Sequence, residues 1–401
     1  MIAPKLRFSE FKDEWKSKKL GEIGEFINGL TYSPSDITDD ENKLLVLRSS
    51  NIQDSQLAFD DNVFVNLIVE KEKFTQENDI LICVRNGSRN LIGKNTIVKS
   101  LTYKATHGAF MSVFRSPFNS FIVQLFQTDK YYQYINADLG ATINSINGSN
   151  IKKYKFYFPS EKEQTKIAEF LSAVDDKISQ LSRQLELLNQ YKKGVMQKIF
   201  SQEIRFKNDN GEDFGEWEEI QLKDFLTLTL RPVDKPNENY HALGVRSHFK
   251  GLFNKYDSQP EKNSMDVLYE VFENDIVVNI TFAWEGAMAI ANKIHHKGLV
   301  SHRFPTYQTD ESKILLNFFR YIFIQKDFLA ELQLCSPGGA GRNRVLSKKD
   351  FLEISILKPS VQEQAKIAEF LTAIDERIDH TTAQLTHTKQ WKKGLLQQMF
   401  V

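Results

Sequence analysis

Several loop-like segments of the chain are rich in side chains that can form hydrogen bonds with nucleic acid. Arginine and lysine match the acceptors of guanine, and asparagine and glutamine match adenine. Phosphates accept from lysine, arginine and small polar groups. In the first half of the chain the densest segment, residues 85–90, reads RNGSRN and follows a short apolar run. In the first half of the chain, the residues predicted to contact DNA are Arg48, Ser49, Asn51, Arg85, Asn86, Ser88, Arg89, Asn147, Ser149 and Lys152.

The second half of the chain carries a comparable set. Residues 338–344 read GGAGRNR. Moved back by 200 positions they correspond to residues 138–144, which adjoin the polar segment NSINGSN at 144–150. This positional match favours a shared role for the two segments. The predicted contacts in this half are Arg246, Ser247, His248, Thr281, Trp284, His302, Arg303, Arg342, Asn343, Arg344 and Lys348.

Each of these candidates has a structural alternative. Asparagine and glycine are also the residues that stabilise solvated turns, so a polar segment need not touch a ligand. Trp284 could stack on a base or lie in the core, because an indole ring has a large apolar surface. His302 could contact phosphate or serve the fold alone. Lys192, Lys193, Lys392 and Lys393 lie near helix ends, where they could contact DNA, a partner or the helix dipole.

Motifs for catalysis are missing from the sequence. The segment from Gly87 to Lys94 resembles a phosphate-binding loop, but it has five residues between the glycines instead of four, and Asn95 follows the lysine. No GxGxxG motif opens a helix, and His295, His296 and His302 lack a metal-ligand spacing. Neither the Pro-Asp start of a common nuclease motif nor the Pro-Pro motif of adenine methyltransferases occurs. We therefore predict no catalytic site, metal or cofactor in this chain.

Composition sets the class of protein. Lysine plus arginine equals aspartate plus glutamate at 52 each, so the net charge of zero does not favour a nucleic-acid binder, although a local basic face can still form. The two cysteines, Cys83 and Cys335, are far apart, which fits a reducing compartment better than a disulfide framework. No run of 18 apolar residues occurs, and the N-terminus has no secretory apolar stretch. These features predict a cytoplasmic protein without membrane contact.

A long internal repeat organises the chain. Residues 159–200 and 359–400 align at an offset of 200 without a gap, and 21 of the 42 positions are identical. Ser160 with Glu163, and Ser360 with Glu363, have the spacing of a capping box, in which serine accepts an early backbone N–H and glutamate reaches back. Apolar residues then recur at the 3–4 spacing of a coiled-coil seam, so each copy predicts a helix about 60 Å long. Mutual packing of the two helices is favoured over packing of each on its own domain.

The segments before the two helices correspond only loosely. An Arg-Phe pair and a later Glu-Trp pair open both, the sequence Glu-Asn-Asp-Ile recurs at 77–80 and 273–276, and His107 has a rough counterpart in His302. Short apolar runs predict strands at 44–47, 80–84, 110–114, 276–280 and 288–291, and helical spacing predicts helices at 119–139 and 312–334. The fold class is therefore α+β. The predicted domains are 1–158 and 201–358, with helical segments at 159–200 and 359–401.

The repeated helix resembles a known family. Its pattern PSxxEQxKIAEFLxAxD, ending in KKGxxQxxF and present twice after unlike domains, is similar to the specificity subunits of type I restriction–modification systems. The resemblance covers essentially the whole chain. It implies two target-recognition domains, each reading one half of a split DNA sequence, separated by two antiparallel helices packed as a coiled coil with pseudo-twofold symmetry. Because the two domains differ, the resemblance predicts an asymmetric bipartite target.

The resemblance also implies the partners. Two modification subunits would dock on the helices, bind S-adenosylmethionine and methylate adenine in each half-site, and restriction subunits that use ATP and Mg²⁺ would complete the nuclease. The chain itself would be a non-catalytic DNA-binding subunit. Two other classes of function remain open from the residues alone. One is a self-contained methyltransferase or nuclease with a cryptic site, and the other is a coiled-coil scaffold without DNA binding.

Overall fold

The computed structural model describes residues 2–139, 144–338 and 344–401. These residues form two compact units: unit 1 is Met1–Glu186 with His380–Val401, and unit 2 is Leu187–Asp379. The division falls inside the two long helices of the repeat, so each unit contains one globular domain and a part of both helices. Each unit is described separately below.

Unit 1 begins with a series of short strands, and its α-helices follow in the second part of the domain. The strands are β1 (Lys16–Lys19), β2 (Glu25–Asn28), β3 (Ile37–Thr38), β4 (Leu44–Leu47), β5 (Ile52–Gln53), β6 (Gln56–Leu57), β7 (Phe64–Val65), β8 (Ile80–Cys83), β9 (Asn95–Ile97), β10 (Ala105–His107), β11 (Met111–Arg115) and β12 (Lys155–Phe158). The helices are α1 (Asn119–Leu125), α2 (Asp129–Asp138), α3 (Gly148–Ile151) and the start of α4 (Glu161–Phe200).

Two four-stranded sheets form much of the domain of unit 1; the first is mixed and the second is antiparallel. One has the strand order β10-β4-β7-β3, with β10 parallel to β4, and the other has the order β2-β11-β8-β9. Strands β4 and β8 are buried along their whole length, as their continuous apolar sequences require. A large core lies between the second sheet, helices α1 and α2, and the start of α4; it includes Trp15, Phe114, Phe121 and Leu171.

Unit 2 has a similar order of elements. The strands are β13 (Glu218–Gln221), β14 (Leu226–Leu228), β15 (Pro232–Asp234), β16 (Tyr240–Val245), β17 (Leu252–Ser258), β18 (Val267–Val271), β19 (Ile276–Val278), β20 (Met288–Ile290), β21 (Gly298–Val300), β22 (Thr306–Thr309) and β23 (Ser355–Lys358). The helices are α5 (Leu316–Ile322), α6 (Lys326–Leu334), α7 (Lys348–Leu352), α8 (Val361–Met399) and the end of α4.

The sheets of unit 2 follow the orders β15-β18-β21-β16-β17 and β14-β22-β19-β20. The second of these corresponds to the sheet β2-β11-β8-β9 of unit 1. The core of unit 2 beside this sheet is rich in aromatic residues from α5 and α7, among them Phe318, Phe319 and Phe351. It also contains Leu371 of α8. The predicted α+β class is confirmed.

The two segments that were predicted as single helices are each divided. Residues 119–139 contain α1 and α2, and residues 312–334 contain α5 and α6. Thr128 explains the first break, because its hydroxyl accepts the N–H of Tyr131 (3.4 Å) and so caps the start of α2. Apolar residues on both sides of the break face the same core, which is why the helical spacing continues across it. The predicted strands are present within one or two residues of their predicted ends.

The long helices pack against each other in an antiparallel manner within each unit. In unit 1 the start of α4 shares a core with the last turns of α8, where Leu395 and Met399 are buried. In unit 2 the end of α4, with Ile199, shares a core with the start of α8, with Ile367. The predicted pairing of the helices is thus present, and the helix starts also pack on the globular domain of their unit.

A lysine–aspartate pair links the two helices in each unit. In unit 1 the ammonium group of Lys392 contacts the carboxylate of Asp175 and the side chain of Gln127. In unit 2 the corresponding Lys192 contacts Asp375. Burial lowers the pKa of Lys392, and Asp175 opposes that shift. Both lysines therefore hold the helix pair together, whereas Lys193 and Lys393 are exposed.

Buried glutamates anchor the N-terminal segment of each domain to its helix. In unit 1 Arg7 donates two hydrogen bonds to Glu163 (both 2.7 Å), and the indole of Trp15 donates a third (3.3 Å). In unit 2 Arg205 donates two to Glu363 (2.8 and 2.7 Å). These bonds raise the pKa of both arginines. The recurring Arg-Phe openings are thus structural.

Neither predicted capping box is complete among the contacts of the described residues. The Ser360 hydroxyl accepts the N–H of Glu363 (3.3 Å), as expected of the serine. The carboxylates of Glu163 and Glu363, which were expected to reach back to the serine, bind the arginines instead. A guanidinium offers two charged donors to a buried carboxylate, and a charge-assisted pair is stronger than a bond to a backbone N–H.

Candidate DNA interface

Strands β8 and β11 carry the first candidate segment of unit 1 to the surface. They pair in an antiparallel manner, with Cys83 opposite Met111. Beyond the end of β8, the N–H groups of Val84 and Arg85 both donate to the carbonyl of Phe110 (3.0 and 3.1 Å). The loop that begins at Arg85 is therefore held by the sheet, while the Arg85 side chain itself is exposed.

A clamp between an arginine and an aspartate positions the start of β8 and its counterpart in unit 2. Asp79 accepts two hydrogen bonds from Arg115 (2.8 and 2.7 Å), and Asp275 accepts two from Arg231 (2.6 and 3.1 Å). Each aspartate also accepts the backbone N–H three residues earlier (2.7 Å). The repeated Glu-Asn-Asp-Ile motif is thus a turn that fixes the strand leading to the candidate loop.

Three predicted segments of unit 1 meet beyond the end of β8. The amide of Asn86 donates to the hydroxyl of Ser49 (3.0 Å), and its backbone N–H donates to the carbonyl of Asn144 (3.3 Å). The amide of Asn144 donates in turn to the carbonyl of Gly87 (3.1 Å). Segments that are distant in sequence therefore form one polar surface. Its exposed predicted members are Arg85, Ser88, Arg89, Asn147, Ser149 and Lys152.

Two predicted residues of the Arg48–Asn51 segment have structural partners. Asn51 is fully buried; it accepts the N–H of Arg48 (2.9 Å) and donates to the carbonyl of Ala58 (3.0 Å). Its inclusion as a DNA contact is wrong, because its side chain closes the turn and does not reach solvent. The guanidinium of Arg48 forms an ion pair with Asp61 (2.8 Å), so Arg48 would contact DNA only at the cost of that pair.

Phe110 was not among the predicted contacts. Its ring is 55% exposed, although it adjoins a buried strand, and the guanidinium of Arg85 lies over it at 5.7 Å from the ring centre. A cavity of about 560 Å³ opens beside this ring, and Tyr32, Arg48 and Ser49 are among the residues that line it. The apolar run predicted a strand that starts at Phe110, but β11 begins at Met111. Phe110 instead lies in the turn before β11, and its place just after Gly108 was the sequence feature that could have indicated this.

In unit 2, strands β19 and β22 and the segment before α7 form the corresponding surface. The N–H of Ile280 donates to the carbonyl of Arg303 (3.0 Å), and the guanidinium of Arg303 donates to the hydroxyl of Thr281 (3.4 Å). The N–H of Leu346 donates to the carbonyl of Ile280 (2.8 Å). In unit 1 the N–H of Ile146 donates to Val84 in the same way (2.8 Å). The segments before α3 and α7 thus occupy equivalent places.

Trp284 is neither a core residue nor a free stacking surface. It is partly buried, and its indole N–H donates to the carbonyl of Thr281 (3.2 Å). The guanidinium of Arg344 lies over its ring, 5.4 Å from the ring centre. Trp284 therefore supports Arg344 and the Thr281 loop. His302, next to Arg303, and Lys348, four residues after Arg344, are exposed. Arg342 and Asn343, which were also predicted, lie outside the described residues.

The remaining candidates of unit 2 lie between β16 and β17. Arg246 is exposed, donates to the carbonyl of Leu252 (3.1 Å) and stacks on Phe253. The hydroxyl of Ser247 donates to Glu285 (2.7 Å), next to Trp284. His248 is exposed, with a left-handed backbone (φ 59°). This segment therefore borders the Thr281 loop, but its side chains are mostly engaged within the domain.

The proposed correspondence of the two histidines is wrong. Ile80 pairs with Phe114 in unit 1, and Ile276 pairs with Tyr307 in unit 2. Counting back from these pairs makes Ala109 of unit 1 the equivalent of His302, and Val300 of unit 2 the equivalent of His107. His107 is buried and bonded to Thr75 and Ile27, so it belongs to the core.

Chemistry other than binding has little support in the described part of the chain. No group of three or more histidine, cysteine or acidic side chains there could hold a metal ion. Burial raises the pKa of the Cys83 thiol and raises that of Cys335 to about 11, so neither is an activated nucleophile. Among residues 2–139, 144–338 and 344–401, no helix is apolar over a length that could cross a membrane.

Comparison with known proteins identifies one family. The model of the type I restriction modification DNA specificity domain matches residues 12–190 and again 215–388. The putative type I restriction enzyme MjaX specificity subunit of Methanocaldococcus jannaschii is 24% identical over 412 residues, covering 98% of this chain and 94% of the relative. The StySPI specificity subunit of Salmonella potsdam is 25% identical over 385 residues, covering 88% and 80%.

A solved structure has a similar fold. The crystal structure of the type I restriction–modification S subunit from M. genitalium aligns over 100% of this chain and 99% of its own, with a TM-score of 0.65 and 15% identity. At that identity the likeness concerns the fold, and it extends over both units.

Proposed function

This chain belongs to the type I restriction–modification DNA specificity family, and we propose that its two globular domains each read one half of a split, asymmetric DNA target. As a specificity subunit it recognises DNA sequence and is not itself the catalyst. Recognition by two unlike domains is the finer part of the proposal. It rests on two matches of one family model, at residues 12–190 and 215–388, in a chain whose domains differ in sequence.

One observation supports the location of the DNA-reading surface. In unit 1 three segments far apart in sequence meet beyond the end of β8, through bonds from Asn86 to Ser49 and from Asn144 to Gly87. The exposed side chains of this surface are of the types that contact base edges and phosphates in protein–DNA complexes. The domains would be the regions 1–158 and 201–358, and the helical segments 159–200 and 359–401 would set the spacing between half-sites.

The partners follow from the family. Two modification subunits, which bind S-adenosylmethionine, would dock on the paired helices and methylate adenine in each half-site. An adenine must leave the base stack for this reaction, so its pocket would lie in the modification subunit. Restriction subunits that use ATP and Mg²⁺ would join this complex.

DNA binding by the surface of unit 1 can be tested in the complex with modification subunits. We expect Arg89→Ala and Lys152→Ala each to weaken binding and to lower the slope of log affinity against log salt by about one phosphate contact. Arg183→Ala is the matched control, because Arg183 is exposed on α4 and pairs with Glu186. Filter binding across a salt series measures both quantities. Unchanged slopes in both variants would contradict this surface.

A further inference from the structure

Unit 1 and unit 2 can be compared residue by residue at the end of the strands that lead to the candidate surface. Cys83 lies opposite Met111, so the next pair along is Val84 and Phe110. In unit 2, Ile276 lies opposite Tyr307, as Ile80 lies opposite Phe114 in unit 1. Counting from these pairs makes Arg303 the equivalent of Phe110, and Thr281 the equivalent of Arg85.

Two further observations support this alignment. The carbonyl of Phe110 accepts the N–H of Val84, and the carbonyl of Arg303 accepts the N–H of Ile280, both at 3.0 Å. The parallel strand pairs agree as well: Thr106 lies opposite Val46 in unit 1, and the residues at the equivalent positions, 299 and 242, lie opposite each other in unit 2.

In this alignment the arginine lies on different strands in the two units. In unit 1 the arginine, Arg85, follows β8, and its guanidinium lies over the ring of Phe110, which precedes β11 on the facing strand. In unit 2 the arginine, Arg303, precedes β22, and its neighbour is Thr281, to which it donates a hydrogen bond (3.4 Å). Each unit therefore presents one guanidinium at the same place in the sheet, from opposite strands.

These two arginines are also chemically alike. Both are exposed. Within the described residues neither forms an ion pair with a carboxylate, whereas Arg7, Arg115 and Arg231 each do. An arginine held in orientation by a neighbour, with its charge uncompensated, is suited to bind two acceptors in a plane, and guanine O6 and N7 are such a pair.

We propose that Arg85 and Arg303 are the equivalent guanine-reading residues of the two domains, so that each half-site contains a G·C pair contacted by one of them. This inference rests on the proposed function and deepens it. The neighbours of the arginines differ, and so should the adjacent readout. The exposed ring of Phe110 offers apolar contact to a thymine methyl group beside the guanine, and unit 2 has no ring at this position because Arg303 takes the place of Phe110.

Chemically altered DNA tests this proposal in the complex with modification subunits. The target is first obtained by mapping methylated adenines in host DNA. Each guanine of a target duplex is then replaced, one at a time, by 7-deazaguanine, which lacks the N7 acceptor. We expect one replacement in each half-site to weaken binding by roughly 5- to 150-fold, the range for a bidentate contact. Arg85→Ala should abolish the penalty in one half only, and Arg303→Ala in the other.

The chain supplies its own control for folding. In each variant the 7-deazaguanine penalty of the other half-site should persist, because the second domain is unaltered. Replacing thymine by uracil beside the guanine removes the methyl group. We expect a loss of affinity in the half read by unit 1, and Phe110→Ala should remove that loss while leaving the 7-deazaguanine penalty in place.

The outcomes separate this inference from the proposed function. If the wild-type complex does not distinguish target from unrelated DNA, both are overturned. If it does, but the 7-deazaguanine penalties are the same in Arg85→Ala, Arg303→Ala and wild type, only the guanine assignment is overturned. A mapped target in which one half lacks any G·C pair would also overturn that assignment.

Discussion

Residues of the same type have different roles in this protein because their surroundings differ. Arg48 is paired with Asp61, and Arg85 lies exposed over Phe110, although both were predicted contacts in neighbouring polar segments. Asn51 is buried in a turn, whereas Asn147 is exposed and caps α3. An exposed, uncompensated side chain can exchange water for a ligand, and a buried one can do so only by leaving its partners unsatisfied.

His107 gives a prediction at this scale. It is 1% exposed, one ring nitrogen bonds to Thr75 (3.2 Å), and the other donates to the carbonyl of Ile27 (3.0 Å). Burial lowers the pKa of His107 below its ordinary value of 6.5, with Asp79 opposing the shift and Arg115 adding to it. Below pH 6.5 the unfolded chain therefore binds a proton that the folded chain does not. We expect the free energy of unfolding to fall as pH falls, by up to roughly 1.4 kcal/mol per unit.

Urea unfolding of wild type and His107→Gln at pH 7.5, 6.5 and 5.5 measures this effect. The variant should be less stable at pH 7.5 but should lose less stability on acidification. His295→Gln is a matched comparison in unit 2, because burial also lowers the pKa of His295. Parallel pH dependence in wild type and both variants would show that these histidines do not contribute.

At the scale of elements, the paired helices are held by apolar packing and by one buried ion pair in each unit. The side chains of the Lys392 and Asp175 pair are 9% and 30% exposed, and those of the Lys192 and Asp375 pair are 21% and 20% exposed. Each of these lysines is thus matched by an acidic residue on the other helix. Such a pair favours one register, since a shift along the helices would leave its charges buried and unpaired.

This pairing predicts unequal costs for two equivalent substitutions. Asp175→Asn leaves the more deeply buried lysine without its counter-charge, and we expect a loss of about 1 to 3 kcal/mol in the free energy of unfolding, which is less than a fully buried pair would lose because Asp175 is partly exposed. Asp375→Asn should cost less, because Lys192 is closer to solvent. Lys392→Met should lower the free energy of unfolding by less than Asp175→Asn, because the site can accommodate an apolar side chain. Denaturant unfolding measures all three, and equal losses for the two aspartates would refute the argument from burial.

At the scale of the molecule, one long helix and its near copy each follow a different globular domain. The helices share half of their aligned residues, while the domains share mainly a sheet order, the arginine–aspartate clamp and the anchor to a buried glutamate. These shared contacts stabilise the domain, and the loops beyond the strands are left to vary. The net charge of zero is compatible with this arrangement, because only those loops need to attract DNA.

Domain exchange tests this modular interpretation. We expect replacement of residues 201–358 by the corresponding domain of another specificity subunit to change one half of the methylated motif and to leave the other half intact. The retained helices should keep the spacing between the halves. Single-molecule mapping of methylated adenines in a host carrying the chimera measures both. A change in both halves would contradict independent reading by the two domains.

The sequence by itself determined the repeat, the two long helices, the α+β class and the family resemblance, because periodicity and copied segments are properties of neighbouring residues. It also predicted candidate DNA contacts at 85–90 and in the polar segment before each long helix. Only the tertiary structure decided that Asn51 is buried, that Phe110 is exposed and that Arg303 takes the place of Phe110. These facts depend on strand register and on contacts between residues far apart in the chain, which no local pattern encodes.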